Sequence, residues 1–273
     1  MPEVAVNGTQ LYYEEYGPRD RPALVFSHSL FFDHTMFHRQ VERFSSEYRV
    51  VVYDHRGQGR SAAAPVEELD MDTLADDAAA LIEELGLARC HFVGNSMGGF
   101  IAARLAARRP DLLLSAAVMG SSAEAEGKVD DFGPLVVHLQ QHGTEEIIDT
   151  LMYIMFGDTT LADPGREDLR EHWRQYMLGL PATIGDAAHG VVYREDVLSE
   201  LAAARVPVLA VAGEEDHAYE PVLSQHVAET APGGSWVTVR RAGHSLAVER
   251  PEAVNEYLVE HFSATNVPRS NPA

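Results

Sequence analysis

The feature that most constrains the fold is a serine flanked by glycines, placed between a strand-like run and a helix-like run. Residues 90–94 have the apolar pattern of a buried strand, and residues 97–109 have the small and apolar residues of a helix packed on a sheet. Gly94-Asn95-Ser96-Met97-Gly98 joins them. Glycines on both sides allow strand and helix to approach closely, and the sharp turn then exposes the serine. The pattern predicts Ser96 as a nucleophile.

Short β-branched runs alternate with helical patterns along most of the chain, which favours a mostly parallel sheet with crossover helices. The predicted strands are residues 23–28, 49–54, 90–94, 116–120, 206–213 and 236–240. The predicted helices between and after them are residues 71–85, 97–109, 221–230 and 251–262. An antiparallel hairpin is expected from residues 4–6 and 11–16 around Asn7-Gly8.

This alternation stops between about residues 122 and 199. Four helical patterns follow one another there without a strand, at residues 135–141, 145–156, 167–178 and 182–190. An all-helical insertion in an α/β domain is typical of a lid, and 273 residues suit one large domain with such an insertion. We predict a core formed by residues 1–121 and 200–263, a helical cap at 122–199, and a flexible polar tail at 264–273.

The chain resembles the serine hydrolases of the α/β-hydrolase fold from residue 11 to residue 262. The resemblance lies in the Gly-x-Ser-x-Gly turn and in the loop from Asp54 to Ser61, which reads Asp-His-Arg-Gly-Gln-Gly-Arg-Ser. It implies a mostly parallel central sheet flanked by helices, with a catalytic triad in the chain order serine, acid, histidine.

A serine hydroxyl is a weak nucleophile and needs a base within hydrogen-bond reach. In the family order, the Gly-His after the strand at 236–240 identifies His244 as that base. The Gly-x-x-Asp pattern after the strand at 206–213 identifies Asp216 as the acid, with Glu214 and Glu215 as weaker alternatives.

An acyl-transfer site also needs donors for the oxyanion. One expected donor is the backbone N–H of Met97, directly after the nucleophile. The other is the N–H of Leu30, because Phe26-Ser27-His28-Ser29-Leu30 is similar to the family's His-Gly-x loop, with Ser29 in place of glycine. Enol-lactonase relatives tolerate Ser-Leu at these positions.

Four apolar residues at helical spacing in the predicted cap are candidates for substrate binding, because part of a cap that covers the nucleophile must face it. They are Met152, Phe156, Trp173 and Met177. No metal site is expected. The histidine pairs 34/38 and 138/142 each lack an evident third ligand, and no cofactor is required by the proposed chemistry.

The formal net charge of −21 argues against nucleic acid as a partner, because such a field repels phosphate. No apolar run is long enough to cross a membrane, and the N-terminus lacks the pattern of a signal peptide. A single cysteine agrees with a reducing compartment. We therefore expect a cytoplasmic protein that acts on a small molecule; the oligomeric state stays open.

The predicted activity is hydrolysis of a carboxylic ester or lactone through an acyl-enzyme. Similarity to 3-oxoadipate enol-lactonases suggests a small lactone, but that substrate is anionic. The cap arginines 166, 170, 174 and 194 are interleaved with acids, which indicates surface pairing and favours a neutral, fairly apolar substrate. Three alternatives remain: a carbon–carbon bond hydrolase of the meta-cleavage-product type, whose turn is similar, a cofactor-free perhydrolase, and a non-enzymatic ligand receptor.

Overall fold

A computed structural model describes residues 2–265. Its centre is one eight-stranded sheet, formed by Glu3–Val6 (β1), Thr9–Tyr16 (β2), Ala23–Ser27 (β3), Arg49–Tyr53 (β4), Cys90–Asn95 (β5), Leu113–Met119 (β6), Val208–Gly213 (β7) and Ser235–Val239 (β8). The strand order is β1-β2-β4-β3-β5-β6-β7-β8. From β4 to β8 all neighbours are parallel, whereas β2 pairs antiparallel with both β1 and β4.

The α-helices are His38–Phe44 (α1), Met71–Glu84 (α2), Met97–Arg108 (α3), Val129–His142 (α4), Ile148–Met155 (α5), Asp158–Ala162 (α6), Glu167–Leu178 (α7), Ile184–Val192 (α8), Pro221–Thr230 (α9), Leu246–Glu249 (α10) and Pro251–Thr265 (α11). Short 3-10 helices are formed by His34–Phe37, Val66–Glu68, Pro110–Leu112, Glu145–Ile147, Pro164–Arg166 and Ser199–Ala203. No helix in the described part of the chain is long and apolar enough to span a membrane.

The predicted hairpin and the six predicted parallel strands are all present, with ends that differ by a few residues. Three short helices, α1, α6 and α10, were not predicted from the sequence. The largest difference is α4, which begins at Val129 rather than at residue 135 and contains Pro134. Helix α4 packs closely on α8, where a Cβ on Gly185 would lie 2.5 Å from the backbone nitrogen of Gln140.

Between β6 and β7 the described chain forms helices α4 to α8 and no strand. We call residues 122–199 the cap segment. Residues 264 and 265 of the expected tail form the end of helix α11, and residues 266–273 lie outside the described residues.

The parallel strands place four loops at one edge of the sheet. Ser96 directly follows β5, Leu30 lies shortly after β3, Asp216 after β7 and His244 after β8. Because the carboxyl ends of parallel strands meet at one edge, residues distant in the chain converge there.

Candidate active site

The turn between β5 and α3 holds Ser96 in a left-handed conformation, with φ 52° and ψ −112°. Backbone atoms lie so close to the glycines on either side of Ser96 that neither position has room for a side chain. A Cβ on Gly94 would lie 1.9 Å from the carbonyl oxygen of Gly98, and a Cβ on Gly98 would lie 2.0 Å from that of Ser27. Both glycines are therefore required by close backbone approach, as the sequence pattern predicts.

Ser96, His244 and Asp216 form one hydrogen-bonded chain. The Nε2 atom of His244 lies 2.7 Å from the Oγ atom of Ser96, and Nδ1 lies 3.0 and 3.1 Å from the two carboxylate oxygens of Asp216. A carboxylate only accepts hydrogen bonds, so Nδ1 carries the proton and Nε2 accepts the hydroxyl proton of Ser96. This arrangement can remove the hydroxyl proton during nucleophilic attack.

The three neighbouring acids of the loop after β7 have different partners, and Asp216 is the one that is hydrogen-bonded to His244. Its Oδ1 atom accepts the N–H groups of Ala218 at 2.8 Å and Tyr219 at 3.0 Å, which fixes the carboxylate against His244. Glu214 instead accepts the N–H of Arg241 at 2.9 Å, and Glu215 accepts the N–H of Thr159 at 2.7 Å.

The sequence analysis missed the contribution of Asn95. Its Nδ2 atom donates to the carbonyl oxygen of His244 at 3.0 Å, so the loop that carries the candidate base is bound to the residue just before the candidate nucleophile. The residue that follows β6 also lies close to this loop, since a Cβ on Gly120 would lie 2.8 Å from the carbonyl oxygen of His244. A polar residue at the end of an otherwise apolar buried strand is the signal that could have identified Asn95.

The two expected oxyanion donors take no part in the hydrogen bonds of the described residues. Among the hydrogen bonds of the described residues, neither the N–H of Leu30 nor that of Met97 has a protein acceptor. Ser29 fits this loop without strain, because the left-handed residue there is Phe31, with φ 68°.

A pair of buried histidines supports the Leu30 loop. His28 donates from Nδ1 to the carbonyl oxygen of Ser29 at 2.8 Å and accepts the N–H of His55 at Nε2 at 3.0 Å. Burial lowers the pKa of His28 and lowers that of His55 well below its usual value, so both rings are neutral near pH 7. These contacts fix the tautomer of His28 and the direction of the loop.

An almost wholly apolar cavity opens beside Ser96 and His244. The cap segment and the loops after β3 and β7 supply its other walls: Leu30, Phe31, Phe132, Leu135, Val136, Leu139, Leu151, Ile154, Met155, Ala188, Val191, Val192, Ala218 and Tyr219. Such a wall can hold an apolar group next to the hydroxyl of Ser96.

The four cap residues predicted to bind substrate are placed elsewhere. Met152, Phe156, Trp173 and Met177 are buried, but none is among the residues that line this cavity. The rings of Phe156 and Trp173 pack on Phe32, at centroid distances of 6.2 and 4.5 Å. Helical spacing identifies the buried face of a helix, and it does not separate a face packed on protein from one that faces a cavity.

The cap arginines are all engaged by the protein. Arg194 is buried and donates to Glu126 at 3.0 Å and to the hydroxyl of Tyr219 at 3.3 Å. Arg166 and Arg170 donate to backbone carbonyl oxygens, and Arg174 pairs with Asp149. None of the four lines the cavity, so no free cation faces Ser96 from this set.

The histidine pair of α4 does not form a metal site within the described chain. The rings of His138 and His142 are 5.0 Å apart, and Glu146 lies 3.8 Å from His138. In the described residues no group of three or more histidine, cysteine, aspartate or glutamate side chains is arranged to hold a metal ion.

Comparison with known proteins agrees with this architecture. The model of the alpha/beta hydrolase family matches residues 24–257, so the chain belongs to that family. It is 30% identical over 209 residues to 3-oxoadipate enol-lactonase 1 of Acinetobacter baylyi, with 77% of each protein covered. It is 29% identical to the bifunctional esterase/perhydrolase DCH of Acinetobacter calcoaceticus, over 93% of this chain and 96% of that protein. The crystal structure of the enol-lactonase from Burkholderia xenovorans LB400 matches with a TM-score of 0.89 at 28% identity, over 96% of this chain and 100% of that one. The predicted α/β-hydrolase fold is confirmed.

The first prediction concerns the candidate nucleophile. Ser96→Ala removes the attacking oxygen and leaves the fold intact, so turnover of a p-nitrophenyl ester should fall at least about a thousandfold with an unchanged melting temperature. A fluorophosphonate probe should label the wild-type protein at Ser96 and leave the variant unlabelled. Activity within about tenfold of wild type would contradict the assignment.

The second prediction concerns the acid. Asp216→Asn preserves shape but lets the amide donate toward Nδ1, which favours the wrong imidazole tautomer, so kcat should fall by about 10² to 10⁴. Glu214→Gln is the matched control, and it should stay within about tenfold because its contact is an exposed one. A silent Asp216→Asn variant, measured as kcat against the control, would place the acid elsewhere.

Proposed function

We propose that this protein hydrolyses neutral, fairly apolar carboxylic esters or lactones through an acyl-enzyme on Ser96. The observation that carries the proposal is the apolar cavity that adjoins the hydrogen-bonded chain of Ser96, His244 and Asp216. Membership of the alpha/beta hydrolase family supports hydrolysis, and relatives named as enol-lactonase and esterase support an ester or lactone bond.

In the first half of the reaction, Ser96 Oγ attacks the carbonyl carbon while His244 Nε2 takes the hydroxyl proton. The carbonyl oxygen becomes an oxyanion, for which the N–H groups of Leu30 and Met97 are the candidate donors. Asp216 stabilises the imidazolium and keeps its orientation. The imidazolium then gives its proton to the leaving alkoxide, which departs as an alcohol.

In the second half, water replaces the alcohol. His244 takes a proton from water as the hydroxide oxygen attacks the acyl carbon, and the proton returns to Ser96 Oγ when the acid product leaves. For a lactone the alcohol and the acid belong to one product molecule. Every proton transfer in this sequence is carried by His244, so the protein's own residues suffice for it.

The charge distribution favours a neutral acyl group. An unpaired carboxylate in an apolar cavity loses its hydration without compensation, a penalty of several kcal/mol for a buried ion. Arg194, the buried cap arginine near the cavity wall, is already neutralised by Glu126. The hydroxyl of Tyr219 also donates to Glu126, at 2.8 Å, which leaves the ring of Tyr219 in the wall.

The third prediction is the resulting substrate preference. In a panel of p-nitrophenyl acetate, hexanoate and octanoate, neutral γ-lactones, an enol-lactone that carries a carboxylate and a ring-cleavage dienoate, kcat/KM should be highest for a neutral ester or lactone. The charged lactone should be at least about tenfold slower, equivalent to about 1.4 kcal/mol. A panel led by the charged lactone or by the dienoate would contradict the proposal.

The fourth prediction assigns substrate contact to the cavity wall. Val136 lines the cavity, whereas its neighbour Val137 is 49% exposed. Val136→Phe should lower the kcat/KM ratio of octanoate to acetate by about tenfold, because one methylene in an apolar pocket is worth about 1 to 3 kcal/mol. Val137→Phe is the matched control and should leave that ratio unchanged. Equal ratios in the two variants would remove α4 from the acyl site.

A further inference from the structure

A buried glutamate lies between the loop that carries His244 and the cap segment. Glu249, at the end of α10, is fully buried. Its Oε1 atom accepts the N–H of Gly243 at 3.0 Å and that of Ser245 at 3.2 Å, so one oxygen binds the N–H groups of both residues that flank His244. Its Oε2 atom accepts the N–H of Gly157, in the cap segment, at 3.0 Å.

The two segments that share this carboxylate are in direct backbone contact. A Cβ on Gly243 would lie 2.0 Å from the backbone nitrogen of Gly157, so there is no room for a side chain between them. The N–H of Ser245 also points toward the cap segment, where the carbonyl oxygen of Met155 lies 3.1 Å away. The carboxylate of Glu249 therefore completes a junction whose donors come from both segments.

The junction fits an ionised carboxylate. Three backbone N–H groups donate to its two oxygens, an arrangement that suits the ionised form because a carboxylate only accepts hydrogen bonds. Burial raises the pKa of Glu249 above its ordinary value, and the hydroxyl of Thr160, the N–H groups of Gly157 and Gly243 and the positive charge of Arg250 limit that rise.

We propose that Glu249 is a positioning residue for His244. By binding the N–H groups of the residues before and after the histidine, it holds Nε2 at its 2.7 Å distance from Ser96 Oγ, and through Gly157 it makes that placement depend on the cap segment. The proposal rests on the proposed function, since it takes His244 as the base.

The charged groups around Glu249 determine the sign of a pH effect. Arg250 adjoins it in the chain, and Arg166 of the cap segment donates to its backbone carbonyl oxygen at 2.7 Å. Glu215 accepts the N–H of Thr159, two residues after Gly157, and Asp216 is hydrogen-bonded to His244. Removing the negative charge of Glu249 disfavours a positive charge on the nearby imidazole, so the acid limb of the kcat/KM profile should move to lower pH.

The test is Glu249→Gln in the full chain, with rates normalised to the folded fraction measured by circular dichroism. The amide can accept at one position only, and its NH₂ group then meets an N–H donor at the other. We expect kcat to fall by about tenfold to a hundredfold, as small displacements of a catalytic group do, while KM changes less than about threefold. The acid limb should move down by about 0.5 pH unit.

Glu249→Asp is the second variant, and it tests the length of the side chain while the charge is kept. It retains the charge but is one methylene shorter, so it cannot reach both segments. Its kcat should also fall by about tenfold, while the acid limb stays within about 0.2 pH unit of wild type.

Glu215→Gln is the matched control, because Glu215 binds the same cap segment through the N–H of Thr159 but neither peptide group beside His244. It should keep kcat within about threefold, and because Glu215 is partly exposed its acid limb should move less than that of Glu249→Gln. Unchanged kcat in both folded Glu249 variants would overturn the proposal, and so would an equal loss in Glu215→Gln. If Ser96→Ala is inactive while the Glu249 variants are fully active, only the positioning role is disproved. If Ser96→Ala is active, the proposed function itself is disproved.

Discussion

The structure around the site depends on one strained turn. A non-glycine residue in the left-handed region costs about 1 to 3 kcal/mol, and it persists only where its surroundings determine it fully. Ser96 meets that condition: its N–H donates to the carbonyl oxygen of Met119 at 2.8 Å, and its own carbonyl oxygen accepts the hydroxyl of Ser121 at 2.9 Å. Strand β6 and the loop after it thus hold the turn from one side, while Gly94 and Gly98 allow the close backbone approach on the other.

Parallel strand order brings the other groups to this turn. Strand β5 lies between β3 and β6, so the Leu30 loop is next to the nucleophile, and β7 and β8 follow on the β6 side. The loops after β7 and β8 are themselves in backbone contact, since a Cβ on Gly213 would lie 2.3 Å from the carbonyl oxygen of Gly243. Asp216 and His244 are therefore positioned by the loops at this edge of the sheet. The hydrogen bond from Asn95 to the His244 loop stabilises that position.

The electrostatics of the cavity differ from those of the whole chain. A net charge of −21 describes a protein with an acidic surface, yet the wall beside Ser96 is almost entirely apolar. Buried charges near it are compensated internally, as Arg194 is by Glu126, because an uncompensated charge there would carry a large desolvation penalty. The net charge of the chain therefore does not describe the surroundings of Ser96, where the local pairing of charges sets the electrostatics.

The sequence by itself determined the features that follow from local backbone rules and from simple topology. The glycines around Ser96 predicted the turn, the alternation of strands and helices predicted the sheet, and motifs directly after two strands predicted the positions of Asp216 and His244 at one edge. Only the tertiary structure decided which cap side chains face the cavity. Val136 and Trp173 both lie on apolar helical faces, and periodicity reveals that a face is buried without revealing what covers it. The partners of Glu249 were equally hidden, because its three donors come from segments that only folding brings together.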